Sequence, residues 1–207
     1  MSWIDISQTL NEDMDVWPGD TPFQYEKTMS LNRGDSVNVS SITMSSHTGT
    51  HMDAPYHYDE KGIKIDEVPL EYFHGETLVI HVPEKKMIER KDIVNVDFKG
   101  VKKVLFKTKE EGKVSYDNYA VLSPELAPYL KENNIHLIGI DSPSVDPLTS
   151  KDLLAHHALK QENILIIEGL QLQHVKSGFY ELYAFPLKIK GGDGCPVRAV
   201  LKEVVRS

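Results

Sequence analysis

Short runs of apolar and β-branched residues recur along the chain and predict a fold dominated by β-strands. The predicted strands cover residues 3–7, 37–44, 77–82, 101–107, 135–140, 164–167, 180–189 and 197–205. Turn-forming segments such as WPGD, KG and GGDG punctuate these runs. No repeat of fixed period and no linker-like composition interrupts the pattern, so we expect a single domain spanning residues 1–207.

Two segments between the strands have helical character. The first should begin with Ser123 as N-cap and Pro124 at the first helical position, and should end near residues 133–134. The second should begin after residues 149–150, with Asp152 in its first turn and an apolar stripe that includes Leu153, Leu154 and Ala158. Many strands with few helices predict an α/β or α+β domain around a mixed β-sheet.

Composition narrows the classes of partner and site. Hydrophobic residues make up 40% of the 207 residues, and 23 basic against 31 acidic residues give a net charge of −8. Because the basic residues are scattered, nucleic acid is not expected as a partner. Cys195 is the only cysteine, so any metal site must use histidine and carboxylate ligands. Neither a secretory signal nor an apolar run of membrane-spanning length is present, so we expect no membrane association and a cytoplasmic location.

The densest chemical signal is the segment HTGTHMDAPYH at residues 47–57, which holds three of the nine histidines. His51 and Asp53 are two residues apart, so in an extended chain they project from one face with α-carbons about 7 Å apart. His47 would lie about 13 Å from His51 in a straight strand, so the backbone must curve if both bind one ion. Gly49 permits that curvature. A bent loop or bulged strand that carries a metal site is therefore expected, with His57 beside it.

A second group of candidate ligands lies in the segment AHHALKQENILIIEG. Glu168 ends an apolar strand, where a buried carboxylate requires a cation or hydrogen-bond donors. Either His156 or His157 could join it from the second helix. Helical geometry alone slightly favours His157, because it would share the inward apolar stripe. The sequence pattern does not decide between His156 and His157.

These segments resemble the cyclase-type metal-dependent hydrolase family, and HTGTHMDAPYH looks like its signature. The similarity to the bacterial kynurenine formamidase branch of that family extends over nearly the whole chain. The segments that carry it are WIDISQ, VWPGDTPF, SVNV, IGIDSPSVDPL, AHHALK, IIEGL, YELYAFPL and GCPVRAV.

The resemblance implies a barrel-like core of the swivelling β/β/α type and a site with two metal ions. It selects His156 over His157 and leaves Asp53 to bridge the ions, while His57 becomes the catalytic residue. The implied metal ligands, all present as the expected residue types, are His47, His51, Asp53, His156 and Glu168.

The implied reaction is hydrolysis of N-formyl-L-kynurenine to L-kynurenine and formate. Zinc is the first choice of ion, and manganese or cobalt could replace it because the ligand types discriminate weakly. His57 would accept the proton of the attacking water and donate it to the departing aniline nitrogen. Trp17, in the WPGD turn, is the candidate wall for the substrate's aromatic ring. The family also implies a homodimer or a higher homo-oligomer.

Three alternatives stay open at this point. The same ligands serve relatives that act on cyclic amides or aryl esters. A mononuclear iron oxygenase could use His47, His51 and Asp53, and oxygen consumption would identify it. In a non-catalytic metal-binding module the ligands would only stabilise the fold. Replacing His57 would then leave turnover of any substrate unchanged.

Overall fold

A nine-stranded mixed β-sheet forms the centre of the protein in a computed structural model that describes residues 2–83, 85–109, 116 and 118–204. Its strands are β1 (Trp3–Asp5), β4 (His51–Asp53), β5 (His74–His81), β7 (Lys103–Lys107), β9 (Leu137–Ile140), β10 (Leu165–Glu168), β11 (Gly178–Tyr183), β12 (Gly194–Pro196) and β13 (Val200–Glu203). Their order in the sheet is β1-β13-β11-β5-β7-β9-β10-β4-β12.

The middle of the sheet is parallel and its two sides are antiparallel. Strands β5, β7, β9 and β10 run in the same direction, whereas β4 and β12 extend one side and β11, β13 and β1 the other in antiparallel pairing. Every residue of β7, β9 and β10 is buried. Burial on both faces explains their continuous apolar sequences. The predicted α/β domain around a mixed sheet is confirmed.

Two hydrophobic clusters lie on the two faces of the sheet. One contains Phe106, Ile138 and Ile166, together with buried residues of helices α2 (Leu126–Glu132) and α3 (Leu154–Gln161). The other contains the alternate residues of the same strands, among them Leu105, Leu137 and Ile167, with loop residues over them. The helices therefore cover one face only.

Smaller elements lie outside the main sheet. Strands β2 (Gln24–Met29) and β3 (Val39–Thr43) form an antiparallel ribbon, and β6 (Met87–Ile88) pairs with β8 (Val121–Leu122). A single-turn helix, α1 (Arg90–Ile93), follows β6. No helix in the described part of the chain is long and apolar enough to cross a membrane.

The predicted strand boundaries need correction at the C-terminal end. The strand predicted for 180–189 ends at Tyr183, because Pro186 has no N–H to donate and makes only an isolated bridge with Val197. The strand predicted for 197–205 covers Val200–Glu203, and residue 205 lies outside the described residues. The short strands β2, β4, β6, β8 and β12 were not predicted.

Both predicted helix starts are wrong. Helix α2 begins at Leu126, because Pro124 and Glu125 form a turn that is closed by the amide of Leu126 donating to the carbonyl of Ser123. Helix α3 begins at Leu154, after Leu153 in the left-handed conformation with φ 44°. Asp152 therefore precedes the helix instead of lying in its first turn.

Candidate metal centre

Strand β4 places two of the candidate ligands on the helix-covered face of the sheet. It lies antiparallel between β10 and β12, with His51 opposite Glu168 and Asp53 opposite Ile166. Residues directly opposite in antiparallel strands share a face, so the side chains of His51, Asp53 and Glu168 converge there. Met52 points to the other face and is fully buried in the second hydrophobic cluster.

The curved backbone expected before His51 is present. Gly49 has φ 68°, and a β-carbon there would lie 2.7 Å from a methyl group of Leu10. Thr50 anchors the end of the bend by donating its hydroxyl to the carbonyl of Gly169 at 2.6 Å. The bend brings Nδ1 of His47 to 2.9 Å from Oδ1 of Asp53.

Helix α3 positions His156 beside Asp53 and Glu168. Its imidazole is buried, with Nε2 3.4 Å from both Asp53 Oδ2 and Glu168 Oε1. The helical preference for His157 is wrong, because the buried residues of α3 are Ala155, His156 and Leu159, whereas His157 is exposed. The assumed stripe fails because Leu153 precedes the helix and Leu154 is 59% exposed.

The five side chains form two donor groups that share Asp53. His47, His51 and Asp53 make one group, and Asp53, His156 and Glu168 make the other, with the donor atoms of each group within 4.8 Å of one another. Oδ1 of Asp53 faces His47 and His51, whereas Oδ2 faces His156. Each oxygen of this carboxylate therefore serves a different group.

Each of the three imidazoles has its second ring nitrogen held by an acceptor. Nδ1 of His51 donates to the carbonyl of Gly49 at 3.0 Å. Nδ1 of His156 lies 2.7 Å from Asp146 Oδ2, and Nε2 of His47 lies 3.2 Å from Asp193 Oδ2. Metal-binding histidines ordinarily have their second N–H fixed in this way, which leaves the lone pair of the other nitrogen for the ion.

Around His51 and His156 the donor atoms are spaced for a metal ion instead of for direct hydrogen bonds, whereas His47 Nδ1 lies at hydrogen-bonding distance from Asp53. Nε2 of His51 lies 3.4 Å from Asp53 Oδ1 and 3.5 Å from Glu168 Oε2, distances that are long for charged hydrogen bonds. Ligands about 2.0–2.1 Å from a tetrahedral zinc ion are separated by about 3.3 Å. Oδ2 of Asp53 is buried and accepts no hydrogen bond within the described part of the chain. The residues present therefore fit a divalent cation.

The electrostatics of the pocket favour positive charge. Burial alone would lower the pKa of His51, but the neighbouring carboxylates of Asp53 and Glu168 raise it to about 10. Burial also disfavours the charged form of His47. Hydrogen bonds with Asp193 and Asp53 nevertheless raise the pKa of His47 to about 9. Burial would raise the pKa of Asp53, yet His156 and His47 hold it well below its usual value. A bound cation would meet ionised carboxylates and displace protons from the imidazoles.

His57 lies beside these groups without joining either of the two that share Asp53. Its ring centroid is 3.9 Å from that of His47, and Nδ1 is 3.9 Å from Asp193 Oδ2. The side chain is 34% exposed, and burial lowers the pKa of His57 below its usual value. A partly exposed neutral imidazole next to the donor groups is suited to moving protons.

A cavity of about 380 Å³ opens over the donor atoms and gives room for a small molecule. Trp17 lines it and meets Tyr116 edge to face, with ring centroids 5.9 Å apart. His57, His156 and Glu168 lie in the same lining. Trp17, the sequence candidate for substrate contact, thus lies at the cavity that the predicted ligands share.

Sequence reasoning missed three residues of this region. Asp146 and Asp193 hold His156 and His47 but come from loops far along the chain from the histidine-rich segment. The turn sequence GGDG around Asp193 and the Pro-flanked segment SPSVDPL around Asp146 were the available signals. Tyr116 lies among tyrosines scattered along the chain, and their spacing marks no common surface.

Comparisons with known proteins agree with this geometry. Residues 4–147 match the Cyclase family model, described as "Putative cyclase". The chain is 46% identical over 98% of both chains to the kynurenine formamidase of Bacillus thuringiensis subsp. konkukian, and 47% identical over the same shares to that of Geobacillus thermodenitrificans.

Solved structures share the fold. A potential metal-dependent hydrolase with cyclase activity has TM-score 0.81 and 30% identity, covering 97% of this chain and 96% of its own. Isatin hydrolase A from Labrenzia aggregata has TM-score 0.82 and 26% identity, covering 97% and 93%.

Proposed function

The chain belongs to the Cyclase family, and we propose that it hydrolyses N-formyl-L-kynurenine to L-kynurenine and formate as a metal-dependent amide hydrolase. The observation that carries the proposal is the pair of donor groups sharing Asp53, set in a cavity beside His57, which belongs to neither group and lies instead with His47 and Asp193. The full-length similarity to kynurenine formamidases supports the choice of substrate.

We assign His47, His51 and Asp53 to one ion and Asp53, His156 and Glu168 to the other. Zinc is the proposed ion, with manganese or cobalt as substitutes, because these nitrogen and oxygen donors suit all three. Divalent ions in such a site supply Lewis-acid polarisation of a carbonyl and activation of water near neutral pH. Glu168 is held in place by the amide of Val145, which donates to Oε1 at 2.8 Å.

His57 is the proposed catalytic residue for proton transfer. Its Nδ1 lies toward Asp193, so we assign Nε2 to the substrate side. In hydrolysis, the oxygen of water forms a bond to the formyl carbon, the carbon–nitrogen bond breaks, and the aniline nitrogen gains a proton. A neutral His57 would accept the proton from water and deliver it to that nitrogen.

The rest of the cavity suits an aromatic amino acid. Trp17 and Tyr116 form an apolar wall for the aniline ring. Lys151 is the one lysine or arginine lining the cavity in the described part of the chain, and Asp20 lines it as well. The amino-acid group of N-formyl-L-kynurenine is zwitterionic. It would place its carboxylate near Lys151 and its ammonium near Asp20.

A second candidate is hydrolysis of a cyclic amide, which the likeness to isatin hydrolase A favours. Purified zinc-loaded protein should be offered N-formylkynurenine, isatin and a simple aryl ester in parallel, with formate and kynurenine measured directly. We expect the highest kcat/KM with N-formylkynurenine. Ring opening of isatin without release of formate from N-formylkynurenine would replace the first candidate with the second.

A homodimer and a cytoplasmic location complete the proposal. The β2–β3 ribbon exposes Tyr25 and Ile42, which are opposite each other in its register and 55% and 57% exposed. Isolated two-stranded ribbons are marginally stable, and a second subunit packing on these residues would stabilise this one. Light scattering of the purified protein and fractionation of cells would test the two statements.

A further inference from the structure

Asp146 makes a concentrated set of contacts with the start of helix α3. It lies in the loop between β9 and α3 and is only 3% exposed. Oδ1 accepts the amide N–H of Ala155 at 3.0 Å, and Oδ2 accepts the amide N–H of His156 at 3.0 Å. Oδ2 also lies 2.7 Å from Nδ1 of His156. One buried carboxylate thus holds both the backbone and the imidazole of a single residue.

The helix has no local cap that could replace these contacts. The N-cap position is occupied by Leu153, whose side chain cannot accept a hydrogen bond. Asp146 accepts two of the amides that an N-cap would otherwise satisfy, so it fixes the helix start from outside the helix. Asp146 is itself held, because its amide donates to the hydroxyl of Ser144 and its carbonyl accepts the hydroxyl of Tyr119.

The same carboxylate determines which nitrogen of His156 faces the cavity. An ionised carboxylate only accepts hydrogen bonds, so Nδ1 must carry a proton. Nε2 then carries the lone pair, and it is the atom that lies 3.4 Å from both Asp53 Oδ2 and Glu168 Oε1. The negative charge of Asp146 beside Nδ1 also makes Nε2 of His156 more basic, so Nε2 binds a cation more strongly.

We infer that Asp146 is a positioning residue that determines occupancy of the second ion site, through the tautomer and placement of His156. The inference rests on the proposed two-ion function. Replacing Asp146 should affect only the ion site that contains His156. The histidines of the other site have their own acceptors, Asp193 for His47 and the Gly49 carbonyl for His51. Loss of Asp146 should therefore weaken the ion at Asp53, His156 and Glu168 and spare the other.

The test is titration of metal-free protein with zinc, followed by calorimetry and metal analysis. The wild-type chain should bind two equivalents. Asp146→Ala should bind the first equivalent normally and the second about 10- to 100-fold more weakly, the usual effect of removing such a partner. Asp146→Asn should fall between them, because an amide oxygen can still accept from His156 but its NH₂ group then opposes the amide of Ala155.

Asp152→Asn is the matched control. It removes the same charge beside the start of α3 from an exposed residue that has no hydrogen bond to His156 in the described structure. Nitrogen-15 NMR of the zinc-loaded protein gives a second readout, in which the Nδ1–H signal of His156 should be present in the wild type and in Asp152→Asn. That signal should be lost or broadened by exchange in Asp146→Ala.

Three outcomes separate the explanations. Two equivalents of unchanged affinity in Asp146→Ala and Asp146→Asn would overturn the inference. If Asp146→Ala fails to fold, Asp146→Asn decides, and an unchanged second site in that variant would leave Asp146 as a helix cap only. A wild-type chain that binds no zinc would instead refute the proposed function.

Discussion

Gly194 offers a direct test of how closely the proposed first ion site, formed by His47, His51 and Asp53, is packed. It lies on β12 opposite Asp53, and a β-carbon at this position would be 2.7 Å from Cε1 of His47 and 3.0 Å from the carbonyl oxygen of Met52. Gly194 is not among the residues with positive φ, so alanine would bring no backbone strain of that kind. The effect of Gly194→Ala should therefore arise from the contacts with His47 and with the Met52 carbonyl.

The expected magnitude follows from these distances. Carbon atoms ordinarily approach to about 3.5–4.0 Å, so the imidazole of His47 must retreat by roughly 0.8 Å. Metal sites tolerate deviations of about 0.2 Å in ligand distance, so we expect zinc affinity at this site to fall at least about tenfold. Overpacking should also reduce the free energy of unfolding by about 1–3 kcal/mol.

The assay combines zinc titration, turnover of N-formylkynurenine and thermal unfolding. Gly192→Ala is the matched control, because its β-carbon would meet a methyl group of Ile65 at 2.9 Å, away from the candidate ligands. The control should lose stability but keep its zinc affinity. If Gly194→Ala is destabilised like the control and still binds zinc with wild-type affinity, His47 is not a ligand constrained by this packing.

Four further predictions concern the cavity and its ions. His57→Ala should keep both zinc equivalents and lose about 10²- to 10⁴-fold in kcat, and unchanged turnover would remove its catalytic role. Chelation should abolish turnover, and adding zinc should restore it; full activity in protein shown by analysis to contain no divalent ion would refute the metal mechanism. Trp17→Ala should raise KM about tenfold through lost contact with the aromatic ring, and an unchanged KM would place the ring elsewhere. Lys151→Gln should raise KM for N-formylkynurenine about two- to fivefold but leave formanilide, which lacks the carboxylate, unaffected; Lys188→Gln is the exposed control, and equal effects on both substrates would contradict the assignment.

The parts of the fold that could be predicted are those determined by local sequence. Strands β7, β9 and β10 are buried on both faces, so their apolar runs stand out without any knowledge of neighbours. Strand β4 was missed because its three residues are mainly polar and are buried only through contact with β10 and β12. The start of α3 was misplaced because its amides are satisfied by a distant acid instead of a local cap.

The candidate site could be predicted in part for the same reason. His47, His51 and Asp53 are neighbours in sequence, so residue spacing alone suggested that they act together. Choosing His156 over His157 required the family resemblance, because which face of a helix is buried depends on what packs against it. Asp146 and Asp193 act through contacts between distant segments, and no periodic pattern marks such residues.

The register between β4 and β10 connects the fold to the proposed chemistry. His51 is opposite Glu168, so a shift of one residue would turn His51 and Asp53 toward the second hydrophobic cluster and Met52 toward the cavity. Met52 is fully buried among apolar side chains on the far face, so that shift would bury charge without partners. The hydrophobic packing therefore selects the arrangement that faces three candidate ligands toward one cavity.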